Sequence, residues 1–168
     1  MDNSSESSQT QESEFPSGLN ERYDIERKIG EGGFAETFLA HDRKTGTRCV
    51  LKILSWKEVD DWKTIELFER EARVLSQIDH PQIPRFIEFF THKTGSETKI
   101  VLVQEYIPGK NLAQLIQEGK RYTEKEAIQL ALHATKILEY LHNFSPPIIH
   151  RDIKSSNLLL SENEELHL

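Results

Sequence analysis

The chain has 168 residues, 36% hydrophobic and 29% charged, enough for one domain or for a small lobe with part of a larger one. Its formal net charge of −7 is uneven: residues 1–21 hold five acids and no base, leaving 23 acids against 21 bases elsewhere and no basic block of the kind that binds nucleic acid. The single cysteine, Cys49, excludes an internal disulfide, the polar N-terminus has no secretory pattern, and apolar runs such as Ile100–Val103 fall far short of the roughly 20 residues that span a bilayer, so a cytoplasmic location without a membrane segment is expected.

Residues 1–22 form an acidic tail rich in Ser, Glu and Gln that buries too little surface to offset its ordering entropy, and disorder is expected there. From Tyr23 the pattern changes. Tyr23–Ile29 and Phe34–His41 read as strands on either side of Gly30, Gly32 and Gly33. A Lys44-Thr45-Gly46 turn leads to a third strand, Arg48–Leu54. Ile65, Phe68, Ala72, Leu75 and Ile78 recur every three or four residues and predict a helix near Asp60–Ile78, stopped by His80-Pro81. Phe86–Thr91 and Lys99–Tyr106 read as two more strands joined through Thr94-Gly95. Five strands and one helix make a small α+β lobe over 23–107.

Pro108-Gly109 breaks that pattern, and residues 108–168 begin helical. Asn111–Gln117 reads as a short helix. Thr123 with Glu126 three residues on makes a capping box opening a longer one, which runs to about Asn143 and stops at Pro146-Pro147. Ile148-Ile149, Leu158–Leu160 and Leu166–Leu168 read as short strands, with a turn at Glu162-Asn163.

Gly30-Glu31-Gly32-Gly33-Phe34-Ala35 is a glycine-rich turn between strands, compatible with a tight hairpin and also with backbone N–H groups closing on phosphate oxygens. A dinucleotide-binding turn fits poorly, because a strand rather than a helix follows. Lys52 sits in an apolar strand, reaching solvent or aimed at phosphates. Glu71, between Phe68 and Ala72, is either part of a solvated helix face or that lysine's partner. The most specific run is His150-Arg151-Asp152-Ile153-Lys154-Ser155-Ser156-Asn157, which matches H-R-D-x-K-x-x-N at every defining position.

On these motifs the chain, from Tyr23 to its end, resembles the eukaryotic-type serine/threonine protein kinases. The spacings agree: 22 residues from Gly30 to Lys52, 19 from Lys52 to Glu71 and 5 from Asp152 to Asn157. The resemblance implies a two-lobe α+β fold with a complete N-lobe and a partial helical C-lobe. It implies ATP and Mg²⁺ as cofactors, and transfer of the γ-phosphoryl to Ser or Thr on a protein substrate. Asp152 would accept the hydroxyl proton, Lys154 would stand near the transferred phosphate, and Asn157 would ligate magnesium. Lys52, steadied by Glu71, would hold the α/β-phosphates beneath the loop Gly30–Glu36. Leu102–Ile107 resembles the hinge, with Gln104 as gatekeeper. Backbone groups of Glu105 and Ile107 would bind adenine, Asn111 would lie near the ribose, and Ile29, Thr37, Val50 and Leu159 would sandwich the base.

The sequence also departs from the family. Ala35 and Thr37 replace a glycine and a valine, and the 168 residues contain no D-F-G, whose Asp carries the principal magnesium and would fall just beyond Leu168. The chain alone is therefore expected to be inactive, and the apolar positions Ile128, Ala131, Leu132, Ile137, Leu138 and Leu141 of the Thr123–Asn143 helix are expected not all to be buried. A non-catalytic nucleotide-binding or interaction fragment is the alternative reading.

Overall fold

The structure, a computed structural model, describes residues 21–31, 35–55, 62–94 and 97–168. Five strands form one antiparallel sheet: β1 (Tyr23–Glu31), β2 (Ala35–Asp42), β3 (Thr47–Ser55), β4 (Phe86–Thr94) and β5 (Glu97–Glu105), in the order β1-β2-β3-β5-β4. Period-two alternation divides the sheet into two faces. Cys49, Leu51 and Ile53 pack with Val101, Val103, Phe38, Ala40 and Tyr23 on one face. Leu54, Ile100 and Leu102 point to the other, where the helix α1 (Trp62–Leu75) covers them with Ile65, Phe68 and Ala72. Cys49 is fully buried, and burial pushes its thiol up to about 11.

The α1 helix ends at Leu75, three residues before the predicted boundary, because Gln77 and Ile78 bond one residue short of helical spacing, to the carbonyls of Val74 and Leu75. Ile78 therefore leaves the stripe of Ile65, Phe68 and Ala72 in which it was expected and packs instead with Ile83, Ile137 and Leu141. The predicted start near Asp60, the tail 1–20 and the Thr94-Gly95 loop lie wholly or partly outside the described residues.

The remainder holds α2 (Leu112–Gln117), α3 (Glu124–His142) and a three-stranded sheet of β6 (Gly109–Asn111), β7 (Leu159–Ser161) and β8 (Leu166–His167). Thr123 and Glu126 form the predicted capping box, and Asn111 with Gln114 forms a second at α2. Two expectations are corrected. Ile148-Ile149 is not a strand: Ile148 donates its N–H to the Leu141 carbonyl and closes the α3 terminus instead. Gly109 is not merely a break but begins β6, and a Cβ there would fall 2.3 Å from the Leu160 carbonyl oxygen. Of the six apolar α3 positions expected not all to be buried, Ile137 and Leu141 are buried while Ile128 and Leu132 are exposed, each at 50%.

Tyr140 joins the two parts. Its hydroxyl donates to the Asp79 carbonyl at 2.9 Å and accepts from the Asp79 N–H at 3.1 Å, while the Leu168 N–H donates to the Gln82 carbonyl at 3.0 Å. The segment between α1 and β4 is thereby seated on α3.

Arg22, assigned by sequence to the tail, is held at the sheet edge. Its guanidinium donates to both oxygens of buried Asp42, at 3.0 and 2.9 Å, and to Glu88 at 2.6 Å; the Tyr23 hydroxyl also donates to Glu88. The Arg22 bonds hold the Asp42 carboxyl down to about 2 despite its burial. A carboxyl depressed in the fold adds stability that is present above its unfolded value, near 3.8, and is lost as pH falls through about 2. Removing Asp42 leaves Arg22 with Glu88 alone and takes away charge-assisted hydrogen bonds, so Asp42→Ala is expected to cost about 2 kcal/mol in urea unfolding at pH 7. Between about pH 4 and pH 2 the wild type should lose stability more steeply than the variant.

Candidate active site

Lys52 lies on the same face of β3 as Leu54, the face that α1 covers, and this follows from strand periodicity alone. Its ammonium donates to Glu71 Oε1 on α1 at 2.9 Å. Neither side chain is fully buried, at 33% and 44% exposure, so the pair stands at the margin where α1 stops covering the sheet. The register places Thr37 and Leu102 on either side of Lys52, and Leu39 and Gln104 on either side of Val50. Thr37, Val50, Lys52 and Gln104 therefore share one face. Gly30 pairs with Thr37 and Glu31 with Glu36 at the neck of the glycine turn; Ile29 is the extra residue of a bulge between Lys28 and Gly30. Gly32, Gly33 and Phe34 lie outside the described residues, while Ala35 opens β2 opposite Leu54.

Gln104 brings a buried side-chain oxygen, Oε1, with no hydrogen-bond partner among the described residues. Glu105 turns the other way: its N–H donates to the Arg85 carbonyl at 2.8 Å and its carboxylate accepts the Arg85 N–H at 3.3 Å. Among the described residues no backbone hydrogen bond reaches Ile107. Asn111 and Leu159, far apart in sequence, are cross-strand partners in the β6–β7 pair. The Asn111 side-chain oxygen accepts the Gln114 N–H at 2.8 Å, so its capping role occupies that atom. Ile29, Thr37, Val50 and Leu159 are all half-buried. A separate concavity of about 550 Å³ is lined by Arg48, Arg85, Glu105 and Glu162 among others, and by none of Thr37, Val50, Lys52 or Asp152.

Asp152, Lys154 and Asn157 lie on one loop outside regular helix, with a 3-10 turn at Ser155–Asn157. Asn157 Nδ2 donates to the Asp152 carbonyl at 2.8 Å and to Asp152 Oδ2 at 2.9 Å, and Lys154 Nζ meets the same Oδ2 at 2.8 Å. Lys154 first, then Asn157, holds the exposed Asp152 carboxyl below its ordinary range. Arg151 has φ 65°, a left-handed conformation that costs a side-chain-bearing residue roughly 1–2 kcal/mol; nothing in the sequence marked it. Beside it the Asp152 N–H donates to His150 Nδ1 at 3.3 Å. Burial pushes the His150 imidazole below its ordinary value; Asp152 and Glu71 oppose that fall and Lys52 adds to it. The loop histidine thus stands within electrostatic reach of the Lys52–Glu71 pair.

A family model described as the protein kinase domain matches residues 23–168. The chain is 38% identical over 154 residues to serine/threonine-protein kinase B of Synechocystis sp., covering 88% of this chain and 26% of that protein. It is 38% identical over 152 residues to serine/threonine-protein kinase C of the same organism, covering 86% and 27%. CBL-interacting protein kinase 32 of Oryza sativa subsp. japonica is 37% identical over 139 residues, covering 83% and 30%. The chain spans between a quarter and a third of the length of these relatives.

The contacts around Asp152 carry their own test. Lys154→Met is expected to raise the Asp152 carboxyl pKa toward the ordinary range, and Asn157→Ala to raise it by less, as read by carbon-13 NMR titration. A value unchanged in both would show that these contacts do not hold in solution.

Proposed function

The chain belongs to the protein kinase family, and on that premise we propose that it forms the nucleotide-binding lobe and the catalytic loop of an ATP-dependent serine/threonine kinase. The observation that carries this reading is the 2.9 Å Lys52–Glu71 pair with His150 in electrostatic reach of both. In this reading residues 23–107 are the N-lobe and hinge, and 108–168 begin the C-lobe. Lys52, oriented by Glu71, places its ammonium against the α/β-phosphates under the Gly30–Glu36 turn. Adenine lies among Ile29, Thr37, Val50 and Leu159 and meets backbone groups of Glu105 and Ile107, with Asn111 near the ribose. Similarity to proteins named as serine/threonine kinases supports this over a non-catalytic binding module.

Asp152 takes the proton of the acceptor hydroxyl on a protein Ser or Thr. Its depressed carboxyl keeps it ionised at neutral pH, and the Asn157 amide fixes its orientation. Lys154, bonded to the same carboxylate oxygen, supplies positive charge where the transferred group passes. Asn157 turns its nitrogen to Asp152, which leaves its side-chain oxygen as a hard donor of the kind magnesium prefers. Among the described residues no cluster of three or more His, Cys, Asp or Glu side chains could hold a metal ion, so Asn157 would share magnesium with phosphate oxygens. The ion would neutralise charge developing on those oxygens. Among the described residues no helix is long and apolar enough to cross a membrane.

Since the 168 residues carry no D-F-G, they are expected on their own to bind adenine nucleotide without transferring phosphoryl. Calorimetry should show ATP binding that Lys52→Met weakens about tenfold or more. A radiolabelled-ATP assay with a generic Ser/Thr substrate should give equal background from the wild type and Asp152→Asn. No nucleotide binding at all would sink the proposal, and transfer abolished by Asp152→Asn would overturn the expected inactivity.

A further inference from the structure

The neck of the glycine turn contains a conflict. Glu31 and Glu36 face one another as the last cross-strand pair before the turn, and like charges directly opposite in an antiparallel pair repel. Lys28 lies between them. Its ammonium donates to Glu31 at 2.8 Å and to Glu36 at 2.6 Å. The bulge at Ile29 makes this geometry available: the extra residue shifts the alternation, so Lys28 and Glu31, three apart, come to one side of the strand. That side is the face of Phe38, opposite Lys28, and not the face of Thr37 and Lys52.

We propose that Lys28 is a positioning residue that braces the neck of the phosphate-binding turn from outside, neutralising the opposed Glu31 and Glu36 so that the β1–β2 pair stays closed above an anionic nucleotide. The brace touches no ligand, and the inference rests on the nucleotide-binding reading given above. The charges agree with it: bonds to Glu31, then Glu36, push the Lys28 ammonium above its ordinary value, and Lys28 holds the Glu31 carboxyl below its own. Without Lys28 two adjacent uncompensated carboxylates would stand at the neck of the turn. Their repulsion would fray the last rung and raise the local negative potential together.

Isolated exposed ion pairs contribute little, so the test must separate a brace from an ordinary surface contact. It uses the full chain as wild type, Lys28→Ala, Lys28→Arg, and Lys28→Ala combined with Glu36→Gln. In nucleotide-free protein, amide hydrogen exchange at Glu31 and Glu36 should accelerate in Lys28→Ala and return toward wild type in the other two variants. By calorimetry, Lys28→Ala should weaken ATP binding roughly three- to fivefold and adenosine binding less. The loss should shrink at about 1 M salt, where the screening length is about 3 Å. Unchanged exchange and affinity in Lys28→Ala, or a loss that Glu36→Gln does not recover, would overturn the brace. If the wild type binds no nucleotide, the binding reading fails while the exchange measurement still judges Lys28.

Discussion

The register of β3 between β2 and β5 fixes most of what the candidate site can do. Leu51 and Ile53 must enter one core and Leu54 the other, so Lys52 is committed to the face that α1 only partly covers. A slip of one residue would drive an ammonium into the cluster around Leu51, Val101 and Val103 and would expose two apolar side chains. Burying an unpaired cation costs far more than any contact at the site returns. The position of Lys52 is thus enforced by its neighbours' hydrophobicity, and Glu71 meets it because α1 docks through Ile65, Phe68 and Ala72 on that same face.

Elements whose signal is local were legible in the sequence. The five strands, the Gly46 turn and the Thr123–Glu126 box depend on alternation, a left-handed glycine or a three-residue spacing, and each is where it was expected. The Lys52–Glu71 pair was legible through the family resemblance and its 19-residue spacing, since the residues alone left Glu71 open to a solvated helix face. What escaped was non-local. The β6 strand is three residues long and exists only by pairing with β7, so Pro108-Gly109 read as an interruption. Arg22 finds Asp42 and Glu88 at separations of 20 and 66 residues, beyond any local pattern. The alignment of Lys28 with Glu31 depends on a bulge that no residue type announces.

Two joints hold the parts in relation. One is the link where Glu105 leaves the large sheet and Gly109 enters the small one, with the Pro108 carbonyl accepting the Glu162 N–H at 3.1 Å. The other is the Asp79–Ile83 segment against α3, where the Tyr140 ring packs at a tilt against His80, ring centroids 4.6 Å apart, while its hydroxyl satisfies the Asp79 backbone. Because α1 runs directly into the second joint, a shift of that segment would move Glu71 relative to Lys52. The candidate site is therefore a product of how two sheets and one helix are tied together, not of its motifs alone.

The burial of Cys49 has a practical corollary. It is the chain's one thiol, it lies inside the sheet, and its ionisation is pushed to about 11. At neutral pH almost none of it is the reactive thiolate, and no reagent reaches the sulfur without opening the core. A second cysteine introduced on the surface would thus be labelled essentially alone, with no need to remove the native one. With one cysteine introduced on α1 and another on the loop after His150, a pair of fluorophores or spin labels would turn the separation of these two parts into a distance read directly in the folded protein.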